Sequence, residues 1–110
     1  MNVAELIKKL SLTVFVDADP LASVCGGYCG DLLSWVMGRA RKGDAWVTIM
    51  SNRNVAAVAQ LTECACVILA ENVLPDAELS TLSREHGINV LGSPQSSFAL
   101  CDKIAELLRG

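Results

Sequence analysis

A chain of 110 residues suits one domain with one real core and is too short for two. Apolar residues make up 52% and charged residues 19%, which excludes disorder, and a net charge of −3 without a basic cluster leaves no footprint for tracking nucleic-acid phosphates. The longest apolar runs are far too short to cross a bilayer, and Glu5, Lys8 and Lys9 break up the N-terminal stretch, so a cytoplasmic protein with no membrane or nucleic-acid partner is expected.

Val3, Leu6, Ile7 and Leu10 recur at helical spacing and predict a short amphipathic helix over 2–10. Thr13 to Val16 read as a strand, ended by the turn Asp17-Ala18-Asp19-Pro20. Leu21 to Val24 read as a second short strand. After so short a link it should turn back antiparallel, because parallel neighbours need a long connection. The segment Cys25-Gly26-Gly27-Tyr28-Cys29-Gly30 then reads as a glycine loop, with Asp31 placed to cap a helix whose stripe is Leu32, Leu33, Val36, Met37 and Ala40. Lys42-Gly43 ends that helix.

Ala45 to Met50 form a continuous apolar run, the mark of a central strand buried on both faces. The polar turn Ser51-Asn52-Arg53-Asn54 leads into a helix over 55–63 that is apolar nearly all round and so must be covered on more than one side. Cys66 to Ala70 are another buried strand. Pro75 and Asp76 open a helix carrying Leu79 and Leu82, and Gly87 closes it. Ile88 to Leu91 are a strand, and Ser93-Pro94 leads to a last helix with the stripe Phe98, Cys101, Ile104, Ala105 and Leu108. The alternation from residue 45 onward predicts a single α/β domain over 1–110. Its form should be a three-layer α/β/α arrangement around a mainly parallel sheet of four or five strands, with room for one antiparallel edge strand.

In such sheets ligands gather beyond the carboxyl ends of the strands, where helix N-termini also point. The residues expected there are Gly26, Gly27, Tyr28, Asp31, Ser51, Asn52, Arg53 and Ser93, with Arg53 the only cation among them. Together they suit a small anionic or nucleotide-like ligand. The competing account is structural, since Gly, Ser and Asn are what any strand-to-helix turn requires. The glycine loop fits neither the P-loop nor the dinucleotide-binding pattern.

Five cysteines, an odd number without an export signal, argue against a disulfide framework. The pairs Cys25/Cys29 and Cys64/Cys66 approach zinc-ligand spacing, but Cys66 begins a buried strand, and no metal and no cofactor are expected. Cys29 near a helix start is a candidate nucleophile. His86, the sole histidine, ends a helix running to the opposite edge of the sheet and is badly placed to serve it. Asp17, Asp19 and Asp31 lie near the loop as candidate magnesium ligands.

The runs Gly30-Asp31-Leu32-Leu33-Ser34-Trp35-Val36-Met37 and Val47-Thr48-Ile49-Met50-Ser51-Asn52-Arg53, then Pro75-Asp76, Gly87-Ile88-Asn89-Val90-Leu91 and Ser97-Phe98, resemble the DRTGG domain family. The family's Gly-Asp-Arg corresponds to Ser51-Asn52-Arg53, and its Thr-Gly-Gly to Ala70-Glu71-Asn72. The family includes short stand-alone proteins and accessory domains of bacterial phosphotransacetylases and of pyrophosphatases bearing CBS domains. It is similar to the N-terminal domain of HPr kinase/phosphorylase. The resemblance implies a non-catalytic domain for regulation and dimerisation, tied in some relatives to adenine-nucleotide control. A regulatory or ligand-sensing module acting as a homodimer, with a small anionic ligand or a protein partner, is therefore expected ahead of a small enzyme using Cys29 or Asp31. The all-round apolar helix 55–63 is the sequence's own argument for the homodimer.

Overall fold

Local chemistry sets the element boundaries in the computed structural model, which describes all of residues 1–110. Asn2 opens α1 (Val3–Leu10) with a capping box: its side chain accepts from the Glu5 N–H at 2.9 Å while the Glu5 carboxylate reaches back to the Asn2 N–H. After β1 (Thr13–Val16), β2 (Gly26–Cys29), α2 (Leu33–Arg39), β3 (Asp44–Thr48), α3 (Asn54–Thr62) and β4 (Cys66–Leu69), Asp76 caps α4 (Ala77–His86) by accepting from the Leu79 N–H at 2.7 Å. Gly87, at a left-handed φ of 71°, ends it. Following β5 (Val90–Gly92), Ser96 caps α5 (Ser97–Arg109).

The five strands form one sheet in the order β1-β5-β4-β3-β2. β2, β3, β4 and β5 are mutually parallel, and β1 runs antiparallel beside β5. The expected three-layer α/β/α architecture is present. On one face α2, α3 and α4 pack Val36, Val55, Val58 and Leu79 onto Trp46, Val67, Leu69 and Val90. On the other, α1 and α5 pack Val3, Leu6, Leu100 and Ile104 onto Ala45, Val47, Ile68 and Leu91. Alternate residues of β3 and β4 thus enter opposite cores, which is why both strands read as unbroken apolar runs. At β5, Gly92 is required by close approach, because a Cβ there would collide with the Phe15 ring of β1. No helix is long and apolar enough to cross a membrane.

Two expectations fail at the start of the chain. Leu21 to Val24 form no strand, and residues 26–29 of the expected glycine loop are themselves the edge strand β2, pairing Gly26–Cys29 with Asp44–Val47. The antiparallel edge strand is β1. Its direction brings the chain to the edge of the sheet where the parallel strands begin, with β2 still four strand spacings away. The link 17–25 covers that span of about 19 Å; nine residues reach about 30 Å. Its backbone serves α1 instead of a strand partner. The Pro20 and Ala22 carbonyls accept from the Ala4 and Val3 N–H groups at 2.9 and 3.0 Å, and Val24 N–H donates to the Met1 carbonyl at 2.8 Å.

The α2 stripe is also narrower than expected. Only Val36 is fully buried, Leu33 and Ala40 are partly so, and Leu32 and Met37 are exposed, since a seven-residue helix over an edge strand has little to pack against. In α5 the buried face is Leu100 and Ile104, leaving Phe98 exposed. Most of the apolar character of α3 has an internal cause: it lies on the sheet between α2 and α4, which buries Val55, Ala56, Val58 and Ala59, while Ala57 and Leu61 stay exposed, so the argument it offered for a homodimer is largely absorbed within one chain.

Asn89 holds the crossing link. Its buried side chain accepts from the Ala18 and Asp19 N–H groups at 3.0 and 2.8 Å and donates to the Asp19 and Ala65 carbonyls at 2.8 and 3.0 Å. All four bonds are made, so truncation leaves buried partners unpaired. Asn89→Ala is expected to lower stability by roughly 2–4 kcal/mol. Urea titration of the two proteins measures this, and a loss under about 0.5 kcal/mol would show that the clamp is dispensable.

Candidate functional site

The sheet separates the eight residues expected to share a site. Asp31, Ser51, Asn52, Arg53 and Ser93 lie at the carboxyl edge. Gly27 and Tyr28 are in the body of β2, and Gly26 is at its opposite end, opposite Asp44. Most of those at the edge have structural partners. Asp31 does not cap α2, whose N-cap is Leu32 and which has no side-chain cap. Its Oδ1 accepts from the Thr48 hydroxyl at 2.8 Å and the Ile49 N–H at 2.9 Å, joining the ends of β2 and β3. The Ser51 carbonyl accepts from the Asp76 N–H at 3.0 Å, and the Asn52 side chain from the Asn54 N–H at 2.9 Å, an Asx turn that starts α3. Ser93 is buried and its hydroxyl accepts from the Gln95 N–H at 3.1 Å.

Arg53 differs. It pairs with Glu78 of α4 at 3.3 Å, rather than with Asp31 or Glu71, because the first turns of α3 and α4 lie side by side. Both side chains are about two-thirds exposed, so the pair is weak and its guanidinium stays reachable from solvent. Nearby, Glu71 and Asn72 are both left-handed, with φ of 58° and 64°. Their N–H groups donate to the Gln95 and Ser93 carbonyls at 2.8 and 2.9 Å, tying the turn after β4 to the turn after β5.

The carboxyl edge also carries a rim of exposed large apolar side chains: Leu32 and Trp35 around the first turn of α2, Ile49 after β3, Leu74 before α4 and Phe98 in the first turn of α5. Phe98 is 85% exposed. Trp35 stacks on the Arg39 guanidinium at 3.9 Å. Helical periodicity hid this rim by assigning Leu32 and Phe98 to the core. Their places at the very starts of their helices, beyond the end of the sheet, were the available signal.

A cleft of about 310 Å³ opens between β2 and α5 on the face away from the crossover helices. Gly27, Cys29, Cys101, Ile104 and Leu108 are among its walls. The missing side chain at Gly27 is what leaves the space. Cys29 is exposed there and stands against Cys101. Burial, then the neighbouring Cys29 sulfur, pushes the Cys101 thiol up to about 11. Cys64 is likewise pushed up to about 11, by burial and then by the charge of Asp44, and burial pushes Cys66 up further. Cys25 and Cys29 flank a strand, about 13 Å apart at 3.3 Å per residue, so their spacing is no chelating pair. No three His, Cys, Asp or Glu side chains converge, and exposed His86 ends α4 at the far edge from Cys29.

No protein-family model matches the sequence, and no curated protein matches it. Among solved structures, the chain is similar to the CBS and DRTGG domains of the regulatory region of Clostridium perfringens pyrophosphatase, complexed with the activator diadenosine tetraphosphate. The TM-score is 0.69 at 14% identity, over 92% of this chain. The two share a fold. This chain spans 44% of that structure's chain, less than half its length, and the DRTGG-like fold expected from the sequence is the fold observed.

The thiols should separate by environment. A raised pKa leaves less thiolate at any given pH below it, and the thiolate is the species that is alkylated. Under limiting iodoacetamide at pH 8, exposed Cys25 and Cys29 should be modified first, Cys64 and Cys101 at least about tenfold more slowly, and Cys66 only on unfolding. Peptide mass mapping over time checks the order. Early modification of Cys66 in folded protein would contradict the packing described.

Proposed function

We propose that the chain is a non-catalytic regulatory module that senses a nucleotide-like anionic ligand at the carboxyl edge of its sheet. The observation that carries the reading is that this one edge presents both a solvent-accessible guanidinium, Arg53, and exposed aromatic rings, Trp35 and Phe98. Phosphate suits the fixed fork of an arginine, and a base suits an aromatic face. The fold shared with a pyrophosphatase regulatory region bound to diadenosine tetraphosphate adds support by analogy. Asp31, Ser51, Asn52 and Ser93 shape the turns around Arg53, while Gly26, Gly27 and Tyr28 belong to the scaffold.

Diadenosine tetraphosphate is the probe to begin with. It should quench Trp35 fluorescence saturably and raise the melting temperature; Trp46, buried with its indole N–H on the Gly30 carbonyl at 2.9 Å, should report little. Arg53→Ala should weaken binding by about 1.5–3 kcal/mol, roughly 10- to 150-fold, because a charge-assisted bond is lost. Its stability should change by less than about 1 kcal/mol, because the Glu78 pair is exposed. Equal affinity of variant and wild type would overturn the site, and no binding at millimolar probe would overturn the ligand class.

The same rim favours a homodimer. Large apolar side chains gathered at one edge, in a chain of 11.7 kDa, form the kind of surface that a second copy covers. Light scattering at tens of micromolar should give twice the mass of one chain, and the double variant Trp35→Ser/Phe98→Ser should be monomeric. A monomeric wild type at that concentration would refute this.

A further inference from the structure

We propose that Cys29 is a site of reversible S-thiolation and that Cys101 resolves it, so that low-molecular-weight disulfides convert the cleft between β2 and α5 into a disulfide-bridged joint. The two residues come from opposite ends of the sequence and meet because β2 is the edge strand over which α5 lies. The register sets the contact. Cys29 pairs with Val47, which faces α5, so the Cys29 side chain faces α5 too, and Cys101 is on the wall of the cleft that β2 forms with that helix. Gly27, the other β2 residue on this face, puts no side chain between them.

The roles differ by exposure. Cys29 is open to solvent and meets the reagent, while half-buried Cys101 is shielded from bulk reagent but adjacent to the Cys29 sulfur. The Cys29 thiolate attacks one sulfur of a small disulfide, forming a mixed disulfide and expelling one small thiolate. Cys101 then loses its proton to solvent and its thiolate attacks the Cys29 sulfur, expelling the second. Two protein thiols are oxidised to one disulfide and the small disulfide is reduced to two thiols. The other cysteines cannot substitute. Cys25 is at the far end of β2, and Cys64 and Cys66 flank the start of β4 in partly or fully buried positions. The bridge would fasten the last helix to the edge strand and shut the cleft. This mechanism uses none of the residues assigned to the ligand, so it stands or falls separately from the sensing function.

The full-length reduced chain, treated with oxidised glutathione and then acid-quenched, gives the test by intact mass and peptide mapping. The wild type should lose one hydrogen each from Cys29 and Cys101, retain no glutathione on either, and yield a linked Cys29–Cys101 peptide, while any adduct on exposed Cys25 is mapped separately. Cys101→Ser, or Cys101→Ala if the serine variant folds poorly, should stop at one glutathione on Cys29, persisting at least about tenfold longer than in wild type. Cys29→Ser should form no bridge. Stable glutathionylation of wild-type Cys29, a bridge mapped to any other pair, or equal adduct lifetimes in wild type and the Cys101 variants would each overturn the proposal.

Discussion

The antiparallel direction of β1 imposes the constraint that the rest of the structure answers. It delivers the chain to the amino edge of the sheet, at the wrong side for the next strand. Nine residues must then run along that edge before β2 can begin. A connection of this kind exposes backbone that neither helix nor sheet satisfies. Here Asn89 takes up its beginning with three hydrogen bonds, the N-terminus of α1 its middle, and the Gly43 carbonyl, accepting from Cys25 N–H at 2.8 Å, its end. The short helix α1 is therefore more than a cover for the core. Its unpaired N–H groups are partners for the carbonyls of the link.

Placing β2 at the far edge has a second consequence. From β2 to β5 the strands follow in sequence order, and all three crossover helices lie on one face. Nowhere does the order of parallel strands reverse, so no crevice is opened of the kind that usually holds a ligand in doubly wound sheets. The loops at the carboxyl edge bond to one another instead: Asp31 to Thr48, Ser51 to Asp76, and Asn72 to Ser93. What remains available on that edge is Arg53 and the apolar rim. At the side of the sheet, Gly27 leaves a gap that opens a cleft under α5.

The later three-quarters of the fold could be read from the sequence because each signal there has one cause. Asp76 with Leu79 and Leu82, closed by Gly87, is a helix by its own local chemistry, and Trp46-Val47 or Val67-Ile68 are strands because both faces are covered. The early segment could not be read, because its conformation is decided by distant partners. Gly26-Gly27-Tyr28-Cys29 carries the composition of a loop and becomes a strand only by pairing with Asp44–Val47, and Leu21–Val24 has strand composition but serves α1. The expected site failed as a set for the same reason. Once Gly26 to Cys29 are a strand, Gly26 stands at the other end of the sheet from Arg53. The α5 stripe failed more narrowly: periodicity gave the helix, but not where the sheet stops beneath it, so Phe98 was counted inside.

The turn at Glu71-Asn72 has an unusual backbone for its residues. Both residues adopt the left-handed conformation that glycine accepts freely. For a glutamate that conformation is disfavoured by about 1 kcal/mol or more, so something must hold it. The bonds to the Gln95 and Ser93 carbonyls do so, and Ser93 is itself fixed by burial and by the Leu69 carbonyl accepting its N–H at 3.0 Å. The shape of the turn is thus specified by its neighbours and not by its own residues. A glycine pair leaves a bare backbone that a ligand can approach closely, and Glu71 and Asn72 fill that space with exposed polar side chains, one of them anionic. At this turn an approaching anion meets the carboxylate of Glu71, whereas the exposed guanidinium of Arg53 is engaged only by its weak pair with Glu78.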